Sequence, residues 1–382
     1  MRPQDVIDFV RERALAYGFS AVGFSPADEL VEDGERLDAW LNQGAAGKMG
    51  YMHNHRAMRT NASALHPGAR TVISFIVPYR PLVLEGRRAR IAAYAHGVDY
   101  HELFRDKLYQ LLAELEAYVG FSVNGRAITD SAPLLERATA RRAGLGWVGR
   151  SAMLIHPRRG TYTLLCELLI DLELREEIEP VRNHCGRCTA CVDACPTGAI
   201  RGDGSIDARK CISYLTIELK DAIPRDLRAP IGEQMFGCDI CQAVCPWNRF
   251  ADDVTFDELA PREALETLDA IDMLRLGRQE FNQLFKGTAL HRTKRKGLGR
   301  NAAIVLGNRR GEAALEVLEE ALQDHDEPLV REHVVWALAQ FLLHPPQNHA
   351  DRARQALRLA FEREIDETVR QELDWVRTTH GL

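Results

Sequence analysis

Eight of the nine cysteines lie between Cys185 and Cys245, in two groups that each end in Cys-Pro. The first reads Cys185-x2-Cys188-x2-Cys191-x3-Cys195-Pro196. The second reads Cys238-x2-Cys241-x3-Cys245-Pro246 and is one cysteine short, a gap that Cys211 can fill. A segment this rich in thiols and poor in apolar side chains has little with which to build an ordinary core. The spacing is the one that holds 4Fe-4S clusters through thiolates, and the clusters themselves would then serve as the core.

The tight run wraps one cubane with three of its cysteines, because the cysteine past the x3 gap and before proline is aimed at the neighbouring cluster. The expected ligand sets are therefore Cys185, Cys188, Cys191 and Cys245 for one cluster, and Cys195, Cys211, Cys238 and Cys241 for the other. Four-cysteine zinc sites usually show two separated C-x2-C pairs, and three cysteines at successive x2 spacings are unusual for them. A disulfide framework would need a secreted chain, and nothing marks this one as secreted. The remaining cysteine, Cys166, sits in an apolar strand and reads as a small buried hydrophobe.

At 382 residues the chain has length for two or three domains, and its formal charge of −6 gives no overall pull toward nucleic acid. Residues 1–24 lack the features of a signal peptide, no twin-arginine pair stands near the start, and no stretch is long and apolar enough for a membrane span. The thiolates kept for metal make the cytoplasm the expected location.

The opening reads as an amphipathic helix through Val6, Val10, Ala14 and Tyr17, stopped by Gly18; strands follow at Ala21–Phe24 and Thr71–Val77. Tyr100–Val119 has helical spacing, and Thr161–Ile170 is a further strand. This predicts an α/β domain over residues 1–180, a cluster-binding domain over 181–254 and an all-helical domain over 255–382. In the last, Arg300–Gly307 and Arg331–Ala339 look like copies of one unit, with Val369–Val376 a degenerate third, as in short HEAT-like repeats.

Ile128-Thr-Asp130-Ser-Ala-Pro133-Leu-Leu-Glu136-Arg137 sets an acid ahead of a helix that Pro133 can open and Gly144 can end. Asp130 is either a helix cap or a proton donor, and a cap's position would lower its pKa. Gly144-Leu-Gly-Trp-Val-Gly149 follows a helix, so it is not a dinucleotide fingerprint; it suits close backbone approach to a large flat group or a tight turn. Asp99-x-His101 starts like the D-x-H-x-x-G motif of histidine-ligated corrinoid proteins, but Phe104 replaces the glycine, and the match is read as accidental. His184 reads as a loop histidine. His291-Arg292-Thr-Lys294-Arg295-Lys296 and Arg300, with Arg309 and Arg310 further on, form the strongly basic stretch, either a solvated face or a grip on a phosphate backbone.

Taken together, Thr129–Arg137, Gly144–Gly149, the double cysteine motif with Ala194-Cys195-Pro196-Thr197-Gly198-Ala199, and Gly237-Cys238-Asp239-x-Cys241 resemble the epoxyqueuosine reductases over nearly the whole chain. The resemblance implies a multidomain α+β/α/β fold: a cobalamin-binding, reductive-dehalogenase-like α/β core, a ferredoxin-like insert with two 4Fe-4S clusters and C-terminal HEAT-like helices. It implies reduction of epoxyqueuosine to queuosine at wobble position 34 of tRNAs with GUN anticodons (those for Asp, Asn, His and Tyr). Asp130 would be the proton donor. Arg59, Ala92, Leu154, Leu165 and Ser213 would touch the cobalamin, and Arg137, Lys294, Arg295, Lys296 and Arg300 the tRNA. A low-potential flavodoxin or ferredoxin would supply electrons to a monomer. The rival expectations are a reductive dehalogenase-like enzyme on a small organohalide, whose relatives typically carry a twin-arginine signal, and a non-catalytic iron–sulfur carrier, which would bind no cobalamin.

Overall fold

The computed structural model describes residues 2–79, 89–251, 256–343 and 346–382. The chain divides into two compact units that do not follow chain order, unlike the three consecutive domains expected. One comprises Met1–Pro81, Gly97–Arg209 and Asp239–Ala260; the other comprises Leu82–His96, Lys210–Cys238 and Pro261–Leu382. The division falls inside the cysteine-bearing region, leaving Cys211 and Cys238 in the second unit and the other six of the eight in the first.

The first unit is built on a four-stranded sheet of β1 (Ala21–Pro26), β2 (Thr71–Pro78), β3 (Gly125–Ile128) and β4 (Thr163–Ile170), in the order β1-β2-β4-β3. Every pairing is antiparallel, so the sheet is of the α+β kind. All eight residues of β2 are buried, as its β-branched run predicts for a strand covered on both faces. One face packs on α1 (Pro3–Ala16) and α2 (Tyr100–Val119), where Phe19, Phe75 and Phe104 meet; ring centroids of the first two are 4.9 Å apart. Asp99 caps α2 by accepting the His101 N–H, and Gly120, at φ 81°, ends it.

The other face carries α3 (Glu136–Arg142), whose Ala140 joins Ala143, Leu145, Leu154 and Ile76 in one apolar cluster. Gly23 makes this possible. A Cβ there would stand 2.3 Å from the carbonyl oxygen of Ala143, so only glycine lets the end of α3 lie on β1. A polar pair also sits on this face, Ser74 of β2 directly opposite Glu167 of β4.

The second unit is mainly helical: α4 (Arg225–Ile231), α5 (Lys294–Arg309), α6 (Glu312–Asp324), α7 (Pro328–Leu342), α8 (Gln347–Arg363) and α9 (Glu367–His380). The three similar segments seen in the sequence fall on α5, α7 and α9, with α5 packed on α7 and α7 on α9. At Gly307 a Cβ would lie 2.8 Å from Ala337 Cα, so α5 and α7 touch almost backbone to backbone. Arg228 of α4 is buried and pairs with Glu372 at 2.7 Å and Glu332 at 3.1 Å. Among the described residues, no helix is long and apolar enough to cross a membrane.

Candidate active site and cluster ligands

Asp130 stands just past the end of β3, and its backbone is left-handed, at φ 51°. The helix that Pro133 was expected to open starts later, at Glu136, with Leu135 in the cap position. Asp130 is therefore not a helix cap, and the dipole argument against a proton donor falls away. Gly144 does follow the end of that helix, at φ 74°.

The Asp130 carboxylate is 62% exposed and meets the buried start of α2. The Tyr100 hydroxyl donates to Oδ2 at 3.2 Å, and His101 Nε2 lies 3.3 Å from the same oxygen. On its far side, His101 Nδ1 lies 2.6 Å from Asp99 Oδ1. With Asp99 accepting, Nδ1 carries a proton. Nε2 then either accepts from a protonated Asp130 or, as imidazolium, donates to an ionised one. The His101 ring is stacked on Tyr100, with centroids 4.0 Å apart, and its side chain is 7% exposed, so its position is fixed by packing. The Asp130 N–H donates to Glu136 Oε1 at 2.5 Å.

His101 and Tyr100 went unassigned in the sequence. Thirty residues separate them from Asp130, and only the packing of α2 beside β3 brings them together. The Asp99-x-His101 pair that looked accidental as a corrinoid motif has a definite geometry as a buried relay.

Arg137 is exposed, yet surrounding protein desolvates its guanidinium and lowers its pKa, with Glu136 and Asp130 pulling the other way. Arg137 also donates to the Ala152 carbonyl oxygen. The glycine-rich segment is explained by its own hairpin, Trp147–Val148 against Leu154–Ile155: a Cβ on Gly146 would sit 2.2 Å from the Ile155 carbonyl oxygen. Trp147 is buried, edge-on to Trp247 at 4.8 Å and to His184 at 5.2 Å, so His184 is an aromatic packing partner.

Four thiols share one neighbourhood. Burial pushes Cys245 up, and the proximity of Cys185, Cys191 and Cys188 pushes it further; burial likewise raises Cys191, with Cys185 and Cys188 adding to it. For Cys195 burial is again the largest influence, but the Thr197 hydroxyl and the N–H groups of Ala199, Ile200 and Thr197 outweigh it and lower the thiol, the Ala199 N–H standing 3.3 Å from Sγ. The short helices Ala190–Asp193 and Ile240–Ala243, one from each cysteine group, pack on each other. A cleft of about 410 Å³ beside Cys185 is lined by Val148, Gly149, Arg150 and Asn183. Such a donor set, all sulfur and supported by backbone N–H groups, fits an iron–sulfur cluster.

Of the residues expected to touch cobalamin, Leu154 is buried in the apolar cluster under α3, and Leu165 packs against it half-buried. Of the two, Leu165 keeps apolar surface open, which suits contact with a large flat ring. Arg59 is buried, and its guanidinium donates to the carbonyls of Tyr51 at 2.7 Å and Asn54 at 3.2 Å. Ala92 and Ser213 belong to the second unit, where Ala92 is buried and donates its N–H to Phe236 O.

The basic stretch separates into two kinds of residue, which corrects the expectation for part of it. Arg300 is 0% exposed and donates to the carbonyls of Leu215, Leu219 and Asp221, so it is a structural cation out of reach of a phosphate. Arg295 is largely buried among Asp326, Glu327 and His325. Lys294 is exposed and Lys296 half-buried. Lys220, missed in the sequence, lies near both: burial lowers it first, and Arg300, Lys294 and Lys296 add to the effect.

Three family profiles match: "Epoxyqueuosine reductase QueG, DUF1730" over residues 59–131, "4Fe-4S double cluster binding domain" over 184–248 and "HEAT repeats" over 288–375. The epoxyqueuosine reductase of Pseudomonas aeruginosa is 41% identical over 344 residues, covering 88% of this chain and 93% of its own. That of Escherichia coli is 38% identical, covering 87% and 88%. The crystal structure of an epoxyqueuosine reductase with an epoxyqueuosine-modified tRNA-Tyr stem loop matches at a TM-score of 0.90 and 27% identity, covering 100% of both chains. A Bacillus subtilis epoxyqueuosine reductase, with its catalytic aspartate loop swung out of the active site, matches at 0.86 and 27% identity over 98% of this chain and 99% of its own. A catabolic reductive dehalogenase reaches only 0.39 at 16% identity over 78% of this chain and 35% of its own, too little to bear on the comparison. On similarity of this extent, the chain belongs to the epoxyqueuosine reductase family.

Proposed function

We propose that this chain reduces epoxyqueuosine to queuosine at the wobble position of tRNAs with GUN anticodons, with Asp130 as the proton donor. The observation that carries the assignment of Asp130 is its carboxylate, exposed at the end of β3 yet held by Tyr100 and by the buried pair His101 and Asp99. Relatives of this similarity bear that activity in their names, and one was crystallised with the modified stem loop.

The reaction removes one oxygen. Two electrons and two protons enter, an alkene forms and water leaves. Cobalamin, when bound, supplies a low-valent cobalt nucleophile toward the epoxide carbon, reduced one electron at a time through the clusters. Leu154 and Leu165 would give the corrinoid an apolar wall, with Ala92, Ser213 and the Arg59 segment as further contacts. Cys185, Cys188, Cys191 and Cys245 would hold one cluster, a set supported by the shared neighbourhood of those four thiols. Cys195, Cys211, Cys238 and Cys241 would hold the other, on the strength of spacing.

Within this scheme the chain's own residues handle protons. Asp130 gives its proton to the departing oxygen. His101, within reach of Asp130 Oδ2 and oriented by Asp99, returns a proton to Asp130 for the second transfer. Tyr100 keeps the carboxylate turned to its receiving position. Lys294 and Lys296, joined by Lys220, would meet stem phosphates, and the exposed Arg137 would meet the anticodon segment. The target base would have to leave its stack to reach Asp130. A low-potential flavodoxin or ferredoxin as donor, a monomeric state and a cytoplasmic location complete the reading; they rest on thiolate chemistry and on tRNA as substrate. The test is anaerobic incubation with cobalamin, a strong reductant and epoxyqueuosine tRNA. Cobalamin-dependent loss of one oxygen mass from the nucleoside supports it, and no conversion by protein loaded with both cofactors refutes it.

A further inference from the structure

A left-handed backbone is disfavoured at a residue other than glycine, so contacts must hold Asp130 there. Its carboxylate has Tyr100 and His101, but those contacts are the ones a proton donor must loosen in turn. The backbone has a separate tether, the Asp130 N–H to Glu136 Oε1 at 2.5 Å. Glu136 opens α3, which is seated on the sheet through Gly23, so this tether is anchored to the core of the unit.

Beneath Glu136 lies a second acid. Glu167 is central in β4, 0% exposed, and neither of its carboxyl oxygens has a well-formed hydrogen bond among the described residues. An isolated ionised carboxylate in that position is untenable, so Glu167 carries a proton. Glu136 and Thr139, both on α3, lie within its electrostatic reach. Ser74 and Ser25, on the same face of the sheet, are also buried with unpartnered hydroxyls. The half-buried acid that accepts the Asp130 N–H thus has a fully buried acid close by, under α3.

We propose that Glu136 is a positioning residue for Asp130: it holds the catalytic loop in place by accepting the Asp130 N–H, and does so only while at least one of Glu136 and Glu167 keeps its proton. The proposal rests on Asp130 being the proton donor. Glu136, half-buried, and Glu167, fully buried, cannot both ionise at close quarters without strong repulsion, which would push the first turn of α3 off the sheet and release the loop. The charged and titratable groups facing the pair are Asp130 and His101 from the loop side, Arg137 on α3, and Cys166, the neighbour of Glu167 on β4. Burial, then the charge of Asp130, pushes Glu136 up to about 8, and burial, then the charge of Glu136, pushes Glu167 well above the usual carboxylate range. The sign follows: both acids are raised, so the hold is complete at neutral pH and is lost as pH rises through about 8.

The test is hydrogen exchange of the full-length protein at residue resolution, reading the Asp130 amide, beside single-turnover kinetics. In the wild type the Asp130 amide is protected at pH 7 and loses protection above about pH 8. Glu136→Ala loses it at every pH and lowers the single-turnover rate by about a hundredfold, with tRNA affinity and the spectrum of added cobalamin unchanged. Glu136→Gln keeps an acceptor oxygen but cannot ionise, so its amide stays protected above pH 8. Equal protection in Glu136→Ala and wild type overturns the proposal, as does wild-type protection that is flat through pH 9. Should Glu136→Ala fail to fold, the comparison of wild type with Glu136→Gln decides alone. The exchange experiment needs no substrate, so it still reads the tether if the proposed reaction itself is not observed.

Discussion

His101 Nε2 lies 3.3 Å from Asp130 Oδ2, while the opposite nitrogen of the same ring lies 2.6 Å from Asp99. Asp99 orients the imidazole, and in the proposed reaction Asp130 would exchange protons with it. This division of labour lets one exposed carboxyl serve a reaction in which the departing oxygen takes up two protons. His101→Phe should lower single-turnover epoxide reduction by about 10²-fold or more, while cobalamin binding and iron content stay as in wild type. A rate within twofold of wild type would remove His101 from proton transfer.

The two kinds of basic residue predict opposite behaviour on substitution. Arg300→Met leaves the carbonyls of Leu215, Leu219 and Asp221 without their buried donor and should destabilise the second unit by about 3 kcal/mol. Lys294→Gln with Lys296→Gln should leave the melting temperature in place and weaken tRNA binding, flattening its dependence on salt. Calorimetry and filter binding at two salt concentrations read both. Unchanged stability in Arg300→Met, or unchanged affinity in the lysine pair, would contradict the respective assignment.

The crossed cysteine assignment predicts a pattern in iron content. Cys245→Ser and Cys211→Ser should each lower reconstituted iron from about eight to about four per chain, each removing a different cluster. Cys166→Ser, in the buried strand, should leave iron unchanged. Loss of all iron in either single variant would mean that the clusters do not form independently.

His333 is fully buried, accepting the Ile223 N–H at Nε2 with 3.1 Å separation and standing 2.8 Å from the Leu329 carbonyl at Nδ1. Burial, then the charges of Arg228 and Arg300, lowers its pKa well below the usual value. The unfolded chain therefore takes up a proton that the folded one refuses. Stability from this group is complete above about pH 6.5 and falls by about 1.4 kcal/mol for each pH unit below it. Chemical unfolding at pH 7 and pH 5 checks this. His333→Asn, less stable from the start, should lose less over that interval, and an equal loss would exclude His333 as the source.

The cysteine ligands could be read from sequence because covalent spacing alone sets how a short run wraps a cubane. The strands of the first unit were legible for a similar reason: the β-branched run at Thr71–Val77 has few ways to bury itself. The partners of Asp130 were not legible. Tyr100 and His101 lie on a helix whose sequence shows only an N-cap and an apolar face, and the contact exists because antiparallel β3 returns beside it. The basic run misled for a related reason. Its residues wind around α5, so Lys294 faces water while Arg300, less than two turns on, faces inward. Linear charge density does not distinguish these faces. Gly144–Gly149 was ambiguous between a ligand and a turn until the structure supplied the neighbours, Ile155 of the hairpin for Gly146 and Gly149 and Ile178 for Gly144.

The most direct test of the central claim is a single anaerobic turnover of epoxyqueuosine tRNA by wild type and by Asp130→Asn, each with full cluster content and with bound cobalamin reduced beforehand. Nucleoside mass analysis should show loss of one oxygen with wild type and none with Asp130→Asn over the same interval. Conversion by Asp130→Asn at the wild-type rate would contradict the account.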